Sequence, residues 1–86
     1  MAIFYGIILS MDKSKFFTEL AELLDTDVSN LNPDAHLEDL GWSSLAVVSF
    51  IAFADENFGV ILEPSKLTEC KTVGDLIRLL GGKVTA

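Results

Sequence analysis

The chain has 86 residues and a mass of 9.4 kDa, which is enough for one small domain. Its 6 basic and 13 acidic residues give a net charge of −7. That charge argues against nucleic-acid or anionic-membrane binding, because neutralising phosphates requires clustered Lys and Arg. The single cysteine excludes an intrachain disulfide and favours a reducing, cytoplasmic compartment.

The acidic residues are concentrated in the middle of the chain. Residues 16–65 contain no Lys or Arg. The negative electrostatic field of such a stretch speeds encounter with basic partners. The alternative is an ordinary solvated surface. The acids of this stretch are Glu19, Glu22, Asp25, Asp27, Asp34, Glu38, Asp39, Asp55, Glu56 and Glu63.

Residues 1–11 begin with the apolar run Ala2–Leu9. This run is too short to span a membrane, which needs about 20 residues, and it lacks the basic start of a secretory signal. We expect an apolar extension that is disordered, with packing against the domain or a partner as the alternative. The domain itself is predicted over residues 12–81.

A first helix is predicted over residues 12–24, and Asp12 or Ser14 can cap its start. The helical period is visible in Phe16, Leu20, Leu23 and Leu24.

Residues 25–42 form a long loop, which we expect to be ordered because apolar side chains recur along it. The expected anchors are Val28, Leu31, Leu37 and Leu40. Asp25, Asp27 and Ser29 resemble the first ligands of an EF-hand, but Asn30 stands at the glycine position and His36 at the bidentate glutamate position. An EF-hand is rejected, although weak divalent binding in this loop stays open.

A second helix is predicted over residues 44–58, with Gly59 as its C-terminal cap. The inner face is expected to contain Val47, Phe50, Ile51, Ala54 and Phe58. An outer, exposed and unusually apolar face is expected from Leu45, Val48, Ala52 and Phe53.

Two serines mark the start of this second helix. Ser43 is placed as N-cap and Ser44 as the first helical residue, after Gly41, which permits a tight turn. A phosphoryl group on a serine here would meet the positive end of the helix dipole. The alternative is that both serines only cap the helix.

A short turn or helical segment is predicted from Pro64 to about Cys70, and a last helix begins at a capping box, Thr72 to Asp75. Gly81 and Gly82 stop that helix, and residues 82–86 are expected to be a frayed tail. The predicted fold is all-α: a small four-helix bundle of three main helices and one short helix, with a long first loop.

Enzyme chemistry is disfavoured. His36 is the only histidine and is interpreted as a loop residue that covers the core, so a serine triad is not supported. Cys70 has no companion ligands for zinc and is interpreted as a core residue.

Three blocks of sequence resemble the acyl carrier protein family: Asp39–Leu45 (DLGWSSL), Asp55–Gly59 (DENFG) and Thr72–Leu76 (TVGDL). The resemblance covers residues 12–80. It implies a four-helix, non-catalytic carrier that holds acyl groups as thioesters on 4′-phosphopantetheine, derived from coenzyme A and attached to Ser44. The pathway would be fatty-acid, polyketide or specialised lipid biosynthesis.

The same resemblance implies the carrier's partners and its acyl pocket. The partners are a phosphopantetheinyl transferase and basic acyl-transfer or synthase enzymes, and the chain is expected to be a monomer. Contact with partners is assigned to Trp42, Leu45, Val48, Ala52, Asp55 and Glu56. The acyl pocket is assigned to Ile51, Ala54, Phe58, Leu62, Leu67, Cys70 and Ile77.

Two departures from the family pattern bear on partner choice. Ser43 replaces the usual Asp, which keeps a cap but removes a negative charge that a transferase could recognise. Ala46 and Ser49 stand where acids are common, so a specialised carrier with few partners is hypothesised. Trp42 is interpreted as a partly buried anchor, or alternatively as a contact for the pantetheine arm or a docking enzyme.

Other function classes stay open at this point. One is an acidic helical interaction module in which Ser43 and Ser44 only cap. A calcium-responsive adaptor using the Asp-rich loop is less favoured. A peptidyl carrier is the alternative within the carrier class.

Overall fold

The computed structural model describes residues 11–85, so the interpretation of the apolar run lies outside the described residues. Four α-helices enclose one core, which confirms the predicted all-α bundle. They are α1 (Lys13–Leu24), α2 (Ser44–Phe58), α3 (Pro64–Thr68) and α4 (Val73–Leu79). None of the helices formed by residues 11–85 combines the length and the apolarity that crossing a membrane requires.

The helix boundaries follow from caps that the sequence encodes. Asp12 accepts a hydrogen bond from the Lys15 N–H at 2.8 Å, so it caps α1 from outside the helix. Asp25, with φ 55°, ends α1 in the left-handed conformation. Gly59, with φ 66°, ends α2 in the same way, as predicted. Thr72 and Asp75 form the predicted capping box of α4.

The long loop between α1 and α2 is ordered by two short 3₁₀ turns, Val28–Asn30 and Leu37–Leu40. Leu31 and Leu37 are buried and Leu40 is half-buried, as expected of anchors. The expectation for Val28 was wrong, since its side chain is 46% exposed.

Backbone hydrogen bonds tie this loop to the start of α4. The Leu37 N–H donates to the Lys71 carbonyl at 2.8 Å, and the Gly74 N–H donates to the Pro33 carbonyl at 2.9 Å. A Cβ at Gly74 would lie 3.0 Å from that Pro33 oxygen, which is a tight contact, so this close approach favours glycine. The loop therefore fixes where the chain enters α2.

The centre of the core is aromatic. Phe16, Phe50 and Phe58 are the largest fully buried side chains. Phe53, which was expected on the exposed face, is buried, and its ring centroid lies 5.7 Å from those of both Phe50 and Phe58. Because α2 packs against α1 as well as α3, it buries more than the single stripe that a helical period predicts.

The end of the chain is also more ordered than expected. Val84–Thr85 (β2) pairs in parallel with Met11–Asp12 (β1), where the sequence predicted a frayed tail. Met11 and Val84 are both buried, so this pairing closes the core at its edge. The physical reason is that Val84 provides apolar surface beyond the two glycines that end α4.

Candidate functional site

The junction before α2 is a tight turn that places two serines at the start of a long helix. Gly41, with φ 78°, ends the second 3₁₀ turn in a conformation that favours glycine. The Trp42 N–H donates to the Leu37 carbonyl at 3.2 Å, which anchors the turn. Ser43 then adopts extended backbone angles and Ser44 begins the helix.

The two hydroxyl groups have different surroundings. Ser43 Oγ accepts a hydrogen bond from the Ala46 N–H at 3.3 Å, so Ser43 is the N-cap that the sequence predicted. Ser44 is exposed, and its hydroxyl makes no hydrogen bond to any residue from 11 to 85. Ser44 therefore presents an exposed hydroxyl that is not engaged in capping the helix.

The backbone beside Ser44 fits a phosphate group. The N–H groups of Ser44 and Leu45 belong to the first turn of a helix and have no acceptor within the described part of the chain. They lie at the positive end of a 15-residue helix, where negative charge is stabilised. The residues present are therefore compatible with a phosphodiester on Ser44.

The outer face of α2 is exposed and apolar near Ser44. Leu45 is 76% exposed and Val48 is 62% exposed. Ala46, interpreted as an outer position where acids are common, is instead buried. The remaining residues assigned to partner contact are also accessible: Ala52, Asp55 and Glu56 are exposed, and Trp42 is half-buried.

The residues assigned to an acyl pocket lie together in the core. Four are buried and three are half-buried against the same cluster. Grouping in a core is also what simple packing would produce, so it does not by itself define a pocket. The buried members are Ala54, Phe58, Leu62 and Leu67, and the half-buried members are Ile51, Cys70 and Ile77.

Trp42 packs against the core in the turn that precedes Ser43 and Ser44, which we call the serine turn. Its ring lies 5.9 Å from that of Phe50, in an edge-to-face arrangement. A surface cavity of about 230 Å³ adjoins it and is also lined by Leu37, Thr68 and Cys70. The sequence offered no signal for this cavity, because its walls come from two separate segments, residues 36–42 and 68–71. His36, interpreted as a cover for the core, is instead exposed, and it also lines this cavity.

Cys70 and the acidic loop show no reactive or metal-binding arrangement. Burial raises the pKa of the Cys70 thiol, and the negative charge of Asp75 raises it further. The thiol is therefore poorly ionised at neutral pH. Between residues 11 and 85, no group of three or more potential ligands is placed to hold a metal ion.

Comparison with known proteins supplies the family. A family model described as "Phosphopantetheine attachment site" matches residues 14–80. The chain is 41% identical over 58 residues to the acyl carrier protein MbtL of Mycolicibacterium paratuberculosis, covering 66% of this chain and 65% of that protein. It is 34% identical over 62 residues to an acyl carrier protein of Helicobacter pylori, covering 71% of this chain and 80% of that protein.

A larger relative contains a similar segment. The chain is 36% identical over 62 residues to the non-reducing polyketide synthase PKS1 of Zymoseptoria tritici, covering 72% of this chain but 3% of that protein. The chain thus spans slightly less than two thirds of MbtL and a small fraction of the synthase. The family match indicates covalently attached 4′-phosphopantetheine as the cofactor. Because that match extends over most of the chain, this protein belongs to the phosphopantetheine-binding family of acyl carrier proteins.

Proposed function

We propose that this chain carries acyl intermediates on 4′-phosphopantetheine attached to Ser44 and performs no catalysis itself. The observation that supports this most directly is the free, exposed Ser44 hydroxyl at the start of α2, beside two N–H groups without acceptors. When bound, the group supplies a thiol on a flexible arm, on which acyl groups are held as thioesters.

The chain's own residues hold and orient the attachment point. Ser44 Oγ would form the bond to phosphorus, and the N–H groups of Ser44 and Leu45 would face the phosphate charge. Ser43, by accepting from Ala46, keeps the first turn of α2 in place while the arm is used by other proteins.

Partner binding is proposed for the outer face of α2, together with Trp42. Enzymes that dock there would meet exposed Leu45, Val48 and Ala52 close to Ser44, and acidic Asp55 and Glu56 farther along. The partners proposed are a phosphopantetheinyl transferase and acyl-transfer or synthase enzymes with basic surfaces, which the net charge of −7 would attract.

Within acyl transport, we propose a specialised lipid or polyketide pathway rather than general fatty-acid synthesis. The first eleven residues of α2, Ser44–Ala54, contain no acid, so few partners would be recognised by charge there. A relative named as a polyketide synthase supports this choice. We propose that the chain works as a monomer in the cytoplasm, with acyl chains contacting the pocket residues named above.

Intact mass tests the attachment directly. The protein would be incubated with coenzyme A, magnesium and a broad-specificity phosphopantetheinyl transferase. We expect a mass gain of one phosphopantetheine in the parent and in Ser43→Ala, and no gain in Ser44→Ala. We also expect faster modification of Ser43→Asp, because that change restores the acid usual in the family.

The matched alanine variants separate attachment from folding. Ser43→Ala should lose about 0.5–2 kcal/mol of unfolding free energy, because it removes the N-cap. Ser44→Ala removes no hydrogen bond and should change that free energy by less than about 0.5 kcal/mol. No gain in any variant would contradict the proposal and favour the interaction module. Loading of an aminoacyl group by a peptide-synthesising partner would favour a peptidyl carrier.

A further inference from the structure

The indole N–H of Trp42 is a hydrogen-bond donor without an acceptor. Its Nε1 atom is shielded from solvent and has no acceptor among residues 11–85. A tryptophan N–H can only donate, and buried donors are usually paired because leaving one unpaired is costly. The ring as a whole is only half-buried, so its environment is not closed on every side.

The residue that carries this donor also lines the cavity described above. Trp42 forms one wall of that cavity, and Leu37, Thr68 and Cys70 are among its other walls. These walls are mixed, since Glu38, Lys71, His36 and the Thr68 hydroxyl supply polar groups beside Leu37 and Cys70. A chain that entered this cavity would meet both apolar and polar walls, and the Trp42 N–H is a donor that no residue from 11 to 85 satisfies.

The cavity is within reach of Ser44. Trp42 and Ser44 are two residues apart, so their Cα atoms are separated by no more than about 7 Å. Ser43 is held by its cap hydrogen bond, and Trp42 is held by its backbone bond to Leu37 and by its contact with Phe50. The attachment point and the donor therefore belong to one rigid turn.

We propose that the Trp42 Nε1–H donates a hydrogen bond to a carbonyl oxygen of the group tethered at Ser44, when that group folds back into the cavity. This inference rests on the proposed attachment at Ser44. Trp42 is thereby a positioning residue for the arm and its cargo, in addition to an anchor on Phe50. Two carbonyl sources share this chemistry: the amides of the pantetheine arm and the acyl group.

The single tryptophan makes the inference directly measurable, because the chain has one indole N–H resonance. Protein labelled with ¹⁵N would be compared before and after modification with coenzyme A, butyryl-coenzyme A or acetoacetyl-coenzyme A. Intact mass would be recorded for each sample, and Ser44→Ala would be treated identically as the control without an arm. We expect the indole proton to move downfield and its exchange with solvent to slow on modification.

The three loaded forms distinguish the carbonyl sources. A shift already present with coenzyme A assigns the acceptor to the pantetheine arm. A shift that appears first with butyryl assigns it to the thioester carbonyl, and one seen only with acetoacetyl assigns it to the second carbonyl of the cargo. An unchanged resonance in all three modified proteins would overturn the inference and leave the proposed function intact. Absence of any mass gain would overturn both.

A second measurement uses Trp42→Phe, which keeps an aromatic ring against Phe50 but has no N–H donor. A tethered group that contacts the folded protein stabilises it, so the modified parent should melt at a higher temperature than the unmodified parent. That increment should be reduced in Trp42→Phe, whose own unmodified melting temperature serves as the reference. An equal increment in parent and variant would show that the N–H makes no such contact.

Discussion

At the scale of single residues, Asp75 links the loop to α4. One carboxylate oxygen accepts the N–H groups of Lys71 and Thr72, at 2.9 and 3.1 Å, and the other pairs with Arg78. These hydrogen bonds, with that of Lys71 first and the charge of Arg78 adding to them, lower the pKa of the Asp75 carboxyl. The ionised form is thus the one that the folded protein prefers.

The Asp75→Asn variant should show how that preference affects stability. Because the pKa is lower in the folded protein, the ionised carboxylate adds stability above the ordinary aspartate pKa, and this contribution disappears as pH falls through the lowered value. The variant should be less stable at neutral pH and lose less stability between neutral and acidic pH. Urea unfolding across that range measures both effects.

A matched control for Asp75→Asn is Asp27→Asn, because the Asp27 side chain makes no hydrogen bond among residues 11–85. This control removes one negative charge without removing a cap. Identical pH dependence of the two variants would contradict the role assigned to Asp75.

At the scale of elements, the sequence predicted where α2 begins and ends, but it did not predict which of its side chains are buried. Its bounds, residues 44–58, were confirmed because Ser43 and Gly59 are caps whose chemistry is visible in the sequence. The burial of Phe53 was missed because one helical period assumes one partner, whereas α2 packs against both α1 and α3. Ser44 was predicted as the attachment residue by resemblance, while the exposure of its hydroxyl and the capping bond of Ser43 are seen in the structure.

The two sides of α2 should respond oppositely to truncation. Leu45→Ala should leave the unfolding free energy within about 0.5 kcal/mol of the parent, because Leu45 is 76% exposed. The same variant should lower kcat/KM for modification by the transferase, because the proposed partner contact includes Leu45. Phe50→Ala should instead cost about 3–5 kcal/mol, since Phe50 is fully buried. Urea unfolding and a mass-based rate assay at a temperature where all three proteins are folded measure the two effects.

At the scale of the whole molecule, long-range contacts account for most of what the sequence did not predict. Two-residue strands such as β1 and β2 have no visible alternation, and their pairing joins residues more than seventy positions apart. The cavity beside Trp42 likewise combines the 3₁₀ turn at Leu37, the serine turn and the segment around Cys70. Such sites depend on the folded arrangement of separate segments.

The net charge of −7 also acts on the whole molecule. Residues 11–85 contain two ion pairs, Lys15 with Glu19 at 3.4 Å and Arg78 with Asp75. Most of the described acids therefore have no basic partner, and their mutual repulsion opposes the compact state. Added NaCl shortens the Debye length from about 10 Å at 0.1 M to about 3 Å at 1 M, so it should raise the melting temperature.

Two glutamates of α1 provide a matched test of this repulsion. Glu22 is exposed, has no ion pair within residues 11–85 and lies near the negative C-terminal end of the helix, whereas Glu19 pairs with Lys15. Glu22→Gln should gain about 0.3–1 kcal/mol at low salt and lose that gain in 1 M NaCl, where surface charges are screened. Glu19→Gln should gain less, because it also removes an attractive partner. Melting temperatures of the three proteins at both salt concentrations measure this, and a parent that melts lower in 1 M NaCl would show that repulsion does not limit its stability.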